Sequence, residues 1–341
     1  MFAWLERLRI DPYLLAILTM VGIATVLPCR GQVAVDFSYG TTIMIGLVFF
    51  FYGARLSREA VWKGLSHWRL HALILASTFV LFPLLGLAAR VLVPTVLTPQ
   101  LYLGVLFLCT LPSTVQSSIA FTGIARGNIP AAVCAASASS LLGIFITPLL
   151  VSLAMHAEGS VSAGSVESIL LQLLAPFVAG QVARRWIGDW VGRNKQIISL
   201  LDRGSILAIV YTAFSEGVVS GIWQQLDPLN LAAVLLVNIA LLAIVLTVTT
   251  FVSRRLGFSR EDEITIVFCG SKKSLASGVP MVNVLFPPQT VGLIVVPLIL
   301  YHQIQLMVCA ALARRYAARP AVEQEKAASF PALGTAKAAR G

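Results

Sequence analysis

Long apolar runs, separated by short polar and mostly basic interruptions, alternate along nearly the whole chain. A helix rises about 1.5 Å per residue, so about 20 mostly apolar residues span the roughly 30 Å of hydrocarbon in a bilayer. Ten runs approach or reach that length: 12–27, 37–53, 70–93, 102–123, 129–155, 168–187, 199–221, 229–252, 264–286 and 290–313. They predict an all-α polytopic membrane protein of ten transmembrane helices. Two runs break their own pattern. The fourth carries Pro112, Ser113, Thr114, Gln116, Ser117 and Ser118, and the ninth carries Gly270, Ser271, Lys272, Lys273 and Ser274, then Gly278 and Pro280. Proline removes a backbone donor, and irregular backbone at membrane depth is tolerated only where protein or a wet cavity solvates it. Both runs therefore read as discontinuous helices.

Composition agrees, since 57% hydrophobic and 12% charged residues with a mean hydropathy of +0.86 do not describe a water-solvated globule. A net charge of +10 could suit nucleic acid, but the placement of the basic residues excludes that reading. With the N-terminus in the cytoplasm, 21 of the 25 Lys and Arg fall on the cytoplasmic side, Arg30 and Arg90 on the far side, and Lys272 and Lys273 inside a span. Adding or losing one span would invert every later loop and destroy the bias. The positive-inside rule then places both termini in the cytoplasm of a plasma membrane of the bacterial inner type. Arg7 and Arg9 precede the first run with no A-x-A-like site after it, which reads as a retained helix. Cys29, Cys109, Cys134, Cys269 and Cys309 are scattered, with neither a disulfide framework nor metal-ligand spacing, and no cofactor is expected. No H-E-x-x-H, G-x-S-x-G or Walker loop points to an enzyme. The tail 316–341, rich in Ala, Lys, Glu and Pro, is expected to be disordered.

Transporters are often two inverted repeats whose broken helices meet near the midplane. Five helices per half divide this chain into 1–155 and 156–315, with the fourth and ninth spans equivalent and crossed. Gln116-Ser117-Ser118-Ile119-Ala120 echoes Lys272-Lys273-Ser274-Leu275-Ala276 at an offset of 156 residues. Lys272 lies 8 residues past Ile264, about 12 Å deep at about 1.5 Å per residue. A lysine there costs at least about 2.5 kcal/mol, so it should face a cavity or a partner. A later start to the span would instead make both lysines interfacial anchors. Adjacent residues point about 100° apart on a helix, so one of the two is expected to reach the site. Glu216 in the seventh span reads as an interfacial carboxylate, or as a partner for a lysine, a cation ligand or a proton carrier. His302, Gln303, Gln305 and Asn238 read as interhelical hydrogen bonds, with His302 also a candidate for the polar site. Ala132, Ala136 and Ser140 form a packing stripe.

The turn Ala125-Arg126-Gly127-Asn128, then Thr147-Pro148, and above all the run from Phe268 to Leu275 with Gly278-Val279-Pro280-Met281, resemble the bile acid:sodium symporter superfamily in its divergent SBF-like branch. The resemblance covers all ten spans. It implies that spans one, two, six and seven pack against three to five and eight to ten, with substrate bound between the two groups. The family's Ser-Asn pair falls on Ser117 and Ser118, its third-span glutamine on Thr78, and its fifth-span hydroxyls on Ala132 and Ala136. Its ninth-span glutamate falls near Phe268, and that residue's Gln and Asn partners on Lys272 and Lys273. A cation site that has lost its carboxylate and gained an ammonium should bind sodium poorly. The expectation is an alternating-access secondary carrier of a small organic anion in the lipid bilayer, with Na⁺ or H⁺ as candidate coupling ions. Its site would be formed by Ser113, Thr114, Gln116, Ser117, Ser118, Ser271, Lys272, Lys273, Ser274, Glu216, Thr78 and His302. A cation or proton antiporter on the same scaffold and a membrane regulator without flux are the alternatives.

Overall fold

The computed structural model describes residues 12–55, 67–156, 163–219, 221 and 227–318. Arg7, Arg9, Arg58, Lys63 and the expected tail from residue 319 lie outside them. The described residues form helices joined by turns, in the order α1 (Pro12–Val26), α2 (Gly31–Arg55), α3 (Trp68–Leu92), α4 (Pro99–Thr110), α5 (Val115–Ile124), α6 (Ile129–His156), α7 (Ala163–Arg193), α8 (Lys195–Val219), α9 (Pro228–Arg255), α10 (Arg260–Gly270), α11 (Leu275–Leu285) and α12 (Pro288–Ala317). Six of them, α2, α3, α6, α8, α9 and α12, are long and apolar enough to cross a membrane. The pair α4 and α5, bent by 64° at their break, would be a seventh. Of the other expected spans, α1 has only 15 residues, and α10 and α11 have 11 each.

Both expected breaks are present, at residues 111–114 and 271–274. Helix starts recur at a near-constant spacing: Trp68 and Pro228 are 160 residues apart, Pro99 and Arg260 161, Val115 and Leu275 160, and Ile129 and Pro288 159. The two breaks are thus in register at 160 residues, not at the 156 of the Gln116/Lys272 echo. Gln116 to Ser118 lie on α5, whereas Lys272 to Ser274 lie in the unwound link, so that echo pairs non-equivalent backbone.

Small residues set the packing. α2 runs along α7, where a Cβ on Gly53 would strike the Phe177 carbonyl and one on Gly180 would strike the Phe50 carbonyl. α1, α2, α7 and α8 pack on one another, while α3 to α6 pack with α9, α10 and α12. On α6, Gly143 gives room to Pro112 of the break, whose Cβ a methyl would meet at 2.5 Å. Outward faces carry bare apolar side chains such as Leu18, Val80, Leu84, Leu236 and Phe251, as expected of surfaces solvated by lipid.

The start of α10 is built for a charged boundary. Ser259 caps it, its hydroxyl accepting from the Asp262 amide at 3.1 Å, and three acids occupy its first turn, where the helix dipole favours them. Buried Glu263 accepts two bonds from Arg254 of α9, at 2.9 and 3.0 Å, and one from the Tyr316 hydroxyl of α12, at 2.8 Å. The Ala125-Arg126-Gly127-Asn128 turn docks here as well. Arg126 takes a left-handed φ of 62°, and Asn128 donates from Nδ2 to Asp262 at 2.9 Å and from its amide to the Glu261 carbonyl at 3.1 Å. That motif is a joint between the α5–α6 turn and α10. Replacing Glu263 by Ala strips the acceptor from Arg254 and Tyr316, and we expect thermal stability in detergent to fall by about 1–3 kcal/mol, the cost of leaving the buried Tyr316 hydroxyl unpaired, with little added by Arg254, whose side chain is half exposed. Unchanged melting would show that the triad contributes nothing.

Candidate functional site

At the two breaks the helices lose the hydrogen bonds of their last turns, and in a water-excluded interior each orphaned carbonyl needs another donor. Side chains from other helices supply them. At the end of α10, Ser118 donates to the Phe268 carbonyl at 3.3 Å, Ser113 to Cys269 at 2.6 Å, Ser77 to Gly270 at 2.9 Å and Tyr301 to Ser271 at 2.9 Å. At the end of α4, Thr147 donates to the Thr110 carbonyl at 2.8 Å, and the Ser274 amide to Pro112 at 2.9 Å. Each break therefore hydrogen-bonds to the other, and the two meet at one junction. Gln305 of α12 closes the second link like a peptide, accepting from the Lys273 amide at 2.9 Å and donating to the Lys273 carbonyl at 3.0 Å.

One carbonyl of α4, one of the break that follows it and one of α3 remain, and the Lys273 ammonium takes all three. Its Nζ donates to Thr78 at 2.9 Å, Cys109 at 2.9 Å and Leu111 at 2.7 Å, and stands 4.1 Å from the centre of the Phe82 ring. The free Thr78 carbonyl has a local cause. Residues Ser77–Leu81 form a π turn in which the Phe82 amide bonds five residues back to Ser77; the next amide in that register would belong to Pro83, which has none. The Thr78 hydroxyl is spent on the Ile74 carbonyl at 2.8 Å.

Lys272 points elsewhere. It is fully buried, its ammonium lies 4.0 Å from the centre of the Phe121 ring, and it has no hydrogen-bond partner. Neither lysine is among the residues that line two neighbouring spaces, of about 470 Å³ and about 1220 Å³.

The open space lies beside the crossing. A cavity of about 470 Å³ is lined by Tyr52 of α2, Phe177 of α7 and Asp202 of α8, by Ser137, Ser140, Leu141 and Ile144 of α6, by Thr114, Val115 and Gln116 at the start of α5, and by Ser274, Ala276 and Ser277 at the start of α11. Two helix N-termini thus face one space. Thr114 makes no capping bond, which leaves first-turn amides of α5 without that partner. Ser274 accepts from the Ser277 amide at 3.1 Å and donates to the Ser277 hydroxyl at 3.0 Å, so the Ser277 proton is left to point elsewhere. A larger vestibule of about 1220 Å³ lies next to it, lined by Arg184, Arg185 and Asp189 of α7 and by Lys195 and Arg203 of α8. Gln116, an exposed residue, borders both spaces.

Of the residues singled out from sequence, Thr114, Gln116 and Ser274 border the cavity. Ser113, Ser118, Ser271, Thr78, Lys272 and Lys273 are buried in the crossing. Ser117 is half-buried, 3.5 Å from the Thr114 hydroxyl. His302 contacts Gln305 at 3.0 Å, and half-buried Glu216 lies 14 residues along α8 from Asp202; neither lines the cavity or the vestibule. Asn238 makes the expected interhelical bond, donating to the Pro297 carbonyl at 2.9 Å. Tyr52, Asp202, Ser137, Ser140 and Ser277 were not singled out for the site. Ser140 belongs to the small-residue stripe expected only to pack, and a lone tyrosine or aspartate near a helix end carries no sequence signal of facing a cavity.

Residues 11–318 match the model of the SBF-like CPA transporter family. The chain is 59% identical over 311 residues to an uncharacterized protein, PA2026, of Pseudomonas aeruginosa, covering 91% of this chain and 93% of that one. It is 56% identical over 310 residues to "Putative symporter YfeH" of Escherichia coli K12, covering 90% and 93%. It is 31% identical over 314 residues to sodium/bile acid cotransporter 7 of Mus musculus, covering 89% and 91%.

Proposed function

Because this chain belongs to the SBF-like CPA transporter family, and so is a multi-pass membrane transporter of a small molecule and not an enzyme, we propose that it is an alternating-access carrier of a small organic anion. The observation that carries this reading is the cavity of about 470 Å³ onto which the starts of α5 and α11 both open. Helix N-termini present unbonded amides and the positive end of the dipole, which suits a carboxylate. Ser137, Ser140, Ser277 and Gln116 add donors, and Leu141, Ile144 and Phe177 an apolar wall, the usual make-up of a small-molecule site. The vestibule carries four basic side chains against Asp189, so it concentrates anions at the entrance.

The near-constant spacing of helix starts supports ten spans in two inverted five-helix repeats, 1–155 and 156–315. Basic residues cluster around the α7–α8 corner and the ends of α9 and α12, which supports a cytoplasmic vestibule, cytoplasmic termini and a bacterial inner membrane. Lys273 acts as a tethered cation: the carbonyls that surround it already hold one positive charge, and sodium brought beside it would be repelled at low dielectric. The carrier therefore runs without sodium at the crossing, and Glu216 is left as a candidate proton carrier. An antiporter has less support, because the buried charges among the described residues are Lys272, Lys273 and the neutralised Glu263.

Thermal unfolding of the purified protein against a panel of carboxylates, with sodium or potassium, tests the reading, since a ligand that binds only the folded state raises apparent stability. A carboxylate-specific, sodium-independent shift is expected. Gln116→Trp, at an exposed position between the two spaces, should then cut uptake into proteoliposomes at least about tenfold while leaving melting unchanged, a loss equal to about 1.4 kcal/mol. No shift with any carboxylate, or wild-type uptake by the tryptophan variant, defeats the proposal.

A further inference from the structure

The vestibule is larger and more basic than a small carboxylate needs. Its volume of about 1220 Å³ exceeds the roughly 300–1,000 Å³ of ordinary small-molecule pockets. One face of each of two helices turns to it: Gln181, Arg184, Gly188 and Gly192 of α7 follow at three or four residues, and Lys195, Ser199 and Arg203 of α8 at four. Basic groups therefore come from both helices. Half-buried Arg184 and exposed Lys195 make no side-chain hydrogen bond or ion pair with any described residue, and the Arg185 guanidinium lies 3.6 Å from the centre of the Trp186 ring. The glycines keep the seat open. A Cβ on Gly192 would meet nothing within 4 Å, and one on Gly188 would meet the Arg184 side chain alone, so a head group can approach the α7 backbone between the basic residues. Trp186 and Trp190, 64% and 47% exposed, stand among them on α7, and tryptophan gathers at the boundary between hydrocarbon and water. Leu200, 72% exposed, belongs to the vestibule wall itself. A bare apolar side chain in a basic wall suits an occupant with charge at one end and hydrocarbon at the other.

We infer that the vestibule seats the head group of an anionic phospholipid with two phosphates, held by Arg184 of α7 and Lys195 of α8, with Leu200 against an acyl chain. Basic pockets between membrane helices take such head groups. Two helices that each supply an unpaired basic group fit two phosphates, where a single phosphate would leave one of them idle. Four basic side chains against Asp189 leave the wall positive even with two phosphate charges seated, so the entrance keeps its attraction for anions. The inference needs the chain to lie in a bilayer, which its family membership gives, and not the organic-anion reading of the neighbouring cavity.

The test titrates the delipidated protein in detergent with cardiolipin, which has two phosphates, with phosphatidylglycerol, which has one, with phosphatidylcholine and with inorganic pyrophosphate. Affinity is read from the concentration that half-saturates the rise in melting temperature. Cardiolipin should bind at least about tenfold more tightly than any of the others. A basic side chain beside an anionic lipid is worth about fivefold, so Arg184→Gln combined with Lys195→Gln should weaken cardiolipin about tenfold or more. Neither side chain is bonded to a described residue, so the double variant should melt like the parent when no lipid is added. Leu200→Gln, at an exposed site, should weaken cardiolipin and leave pyrophosphate unchanged. Phosphatidylglycerol bound as tightly as cardiolipin overturns the two-phosphate assignment. Pyrophosphate bound as tightly makes the vestibule a soluble-anion site, and cardiolipin bound equally by the double variant places the lipid elsewhere. Each of these outcomes overturns the inference and leaves the carrier reading standing.

Discussion

Lys273→Met is expected to leave no folded protein in detergent, whereas Lys272→Met is expected to melt no lower than the parent. The two side chains are adjacent, equally buried and equally charged, so any account based on depth alone predicts one outcome for both. Their partners differ. Methionine at 273 fills the volume but leaves the carbonyls of Thr78, Cys109 and Leu111 without their donor. A buried polar group stripped of its partner costs about 1–3 kcal/mol, so the set costs about 3–9 kcal/mol against a total stability of about 5–15. The damage would also fall where α3, α4 and the second break are tied together. Lys272 makes no hydrogen bond, and its desolvated contact with Phe121 is worth about 2 kcal/mol or somewhat more. Desolvating an ammonium costs several kcal/mol, so methionine there relieves as much as it removes. Size-exclusion profiles and melting curves decide. A stable Lys273→Met would mean that its three short bonds are incidental. A Lys272→Met protein that folds but no longer transports would give Lys272 a role in the transport cycle that its surroundings do not suggest.

The second large effect is expected at the crossing of α2 and α7. Gly180→Ala drives a methyl into the Phe50 carbonyl, and Gly53→Ala drives one into the Phe177 carbonyl. The obstacles are backbone atoms that cannot turn aside as a side chain would, so the helices must part. Overpacking costs about 1–3 kcal/mol, and more where backbone must move. Tyr52 and Phe177, neighbours of these contact points, line the cavity, so separation widens the site. Each alanine variant should melt well below the parent and lose most uptake. Gly46→Ala on the same helix is the control. A Cβ there meets nothing within 4 Å, and the substitution should be neutral or stabilise by up to about 1 kcal/mol through helix propensity. Equal melting of Gly46→Ala and Gly180→Ala would show that the close approach is not needed.

The breaks in the fourth and ninth runs were legible because Pro112 and the Gly270-to-Ser274 polar stretch contradict a continuous apolar helix. The depth of Lys272 and Lys273 was legible too, and with it the demand that each find a partner or a cavity. Which of those two each lysine found was not. Lys273 is satisfied by carbonyls that are vacant only because Pro83 follows a π turn and α4 stops at Thr110. Lys272 is enclosed by Phe121 without a hydrogen bond. The five-residue echo misled by four positions because letter similarity tracks composition, while the helix breaks track backbone position. The Ala125-to-Asn128 turn pointed to the right family for a structural reason, since it fastens α5–α6 to α10. Ser140 and Ser277 were hidden in plain small-residue patterns, and Asp202 sits beside Arg203 with no local pattern that sets it apart.

From sequence alone came the membrane, the helical class, the side on which the basic residues gather, the two interrupted helices and the family. Each depends on how a segment partitions between water and hydrocarbon, or on which residues can continue a helix, and both are properties of a local stretch of chain. Only the tertiary structure decided which orphaned carbonyl each buried donor satisfies, that Lys273 and not Lys272 ties the breaks together, and that Asp202 lines the same cavity as the starts of α5 and α11. Those depend on groups from 30 to 195 residues apart being within a few ångströms of each other, and a one-dimensional pattern carries no record of such distances.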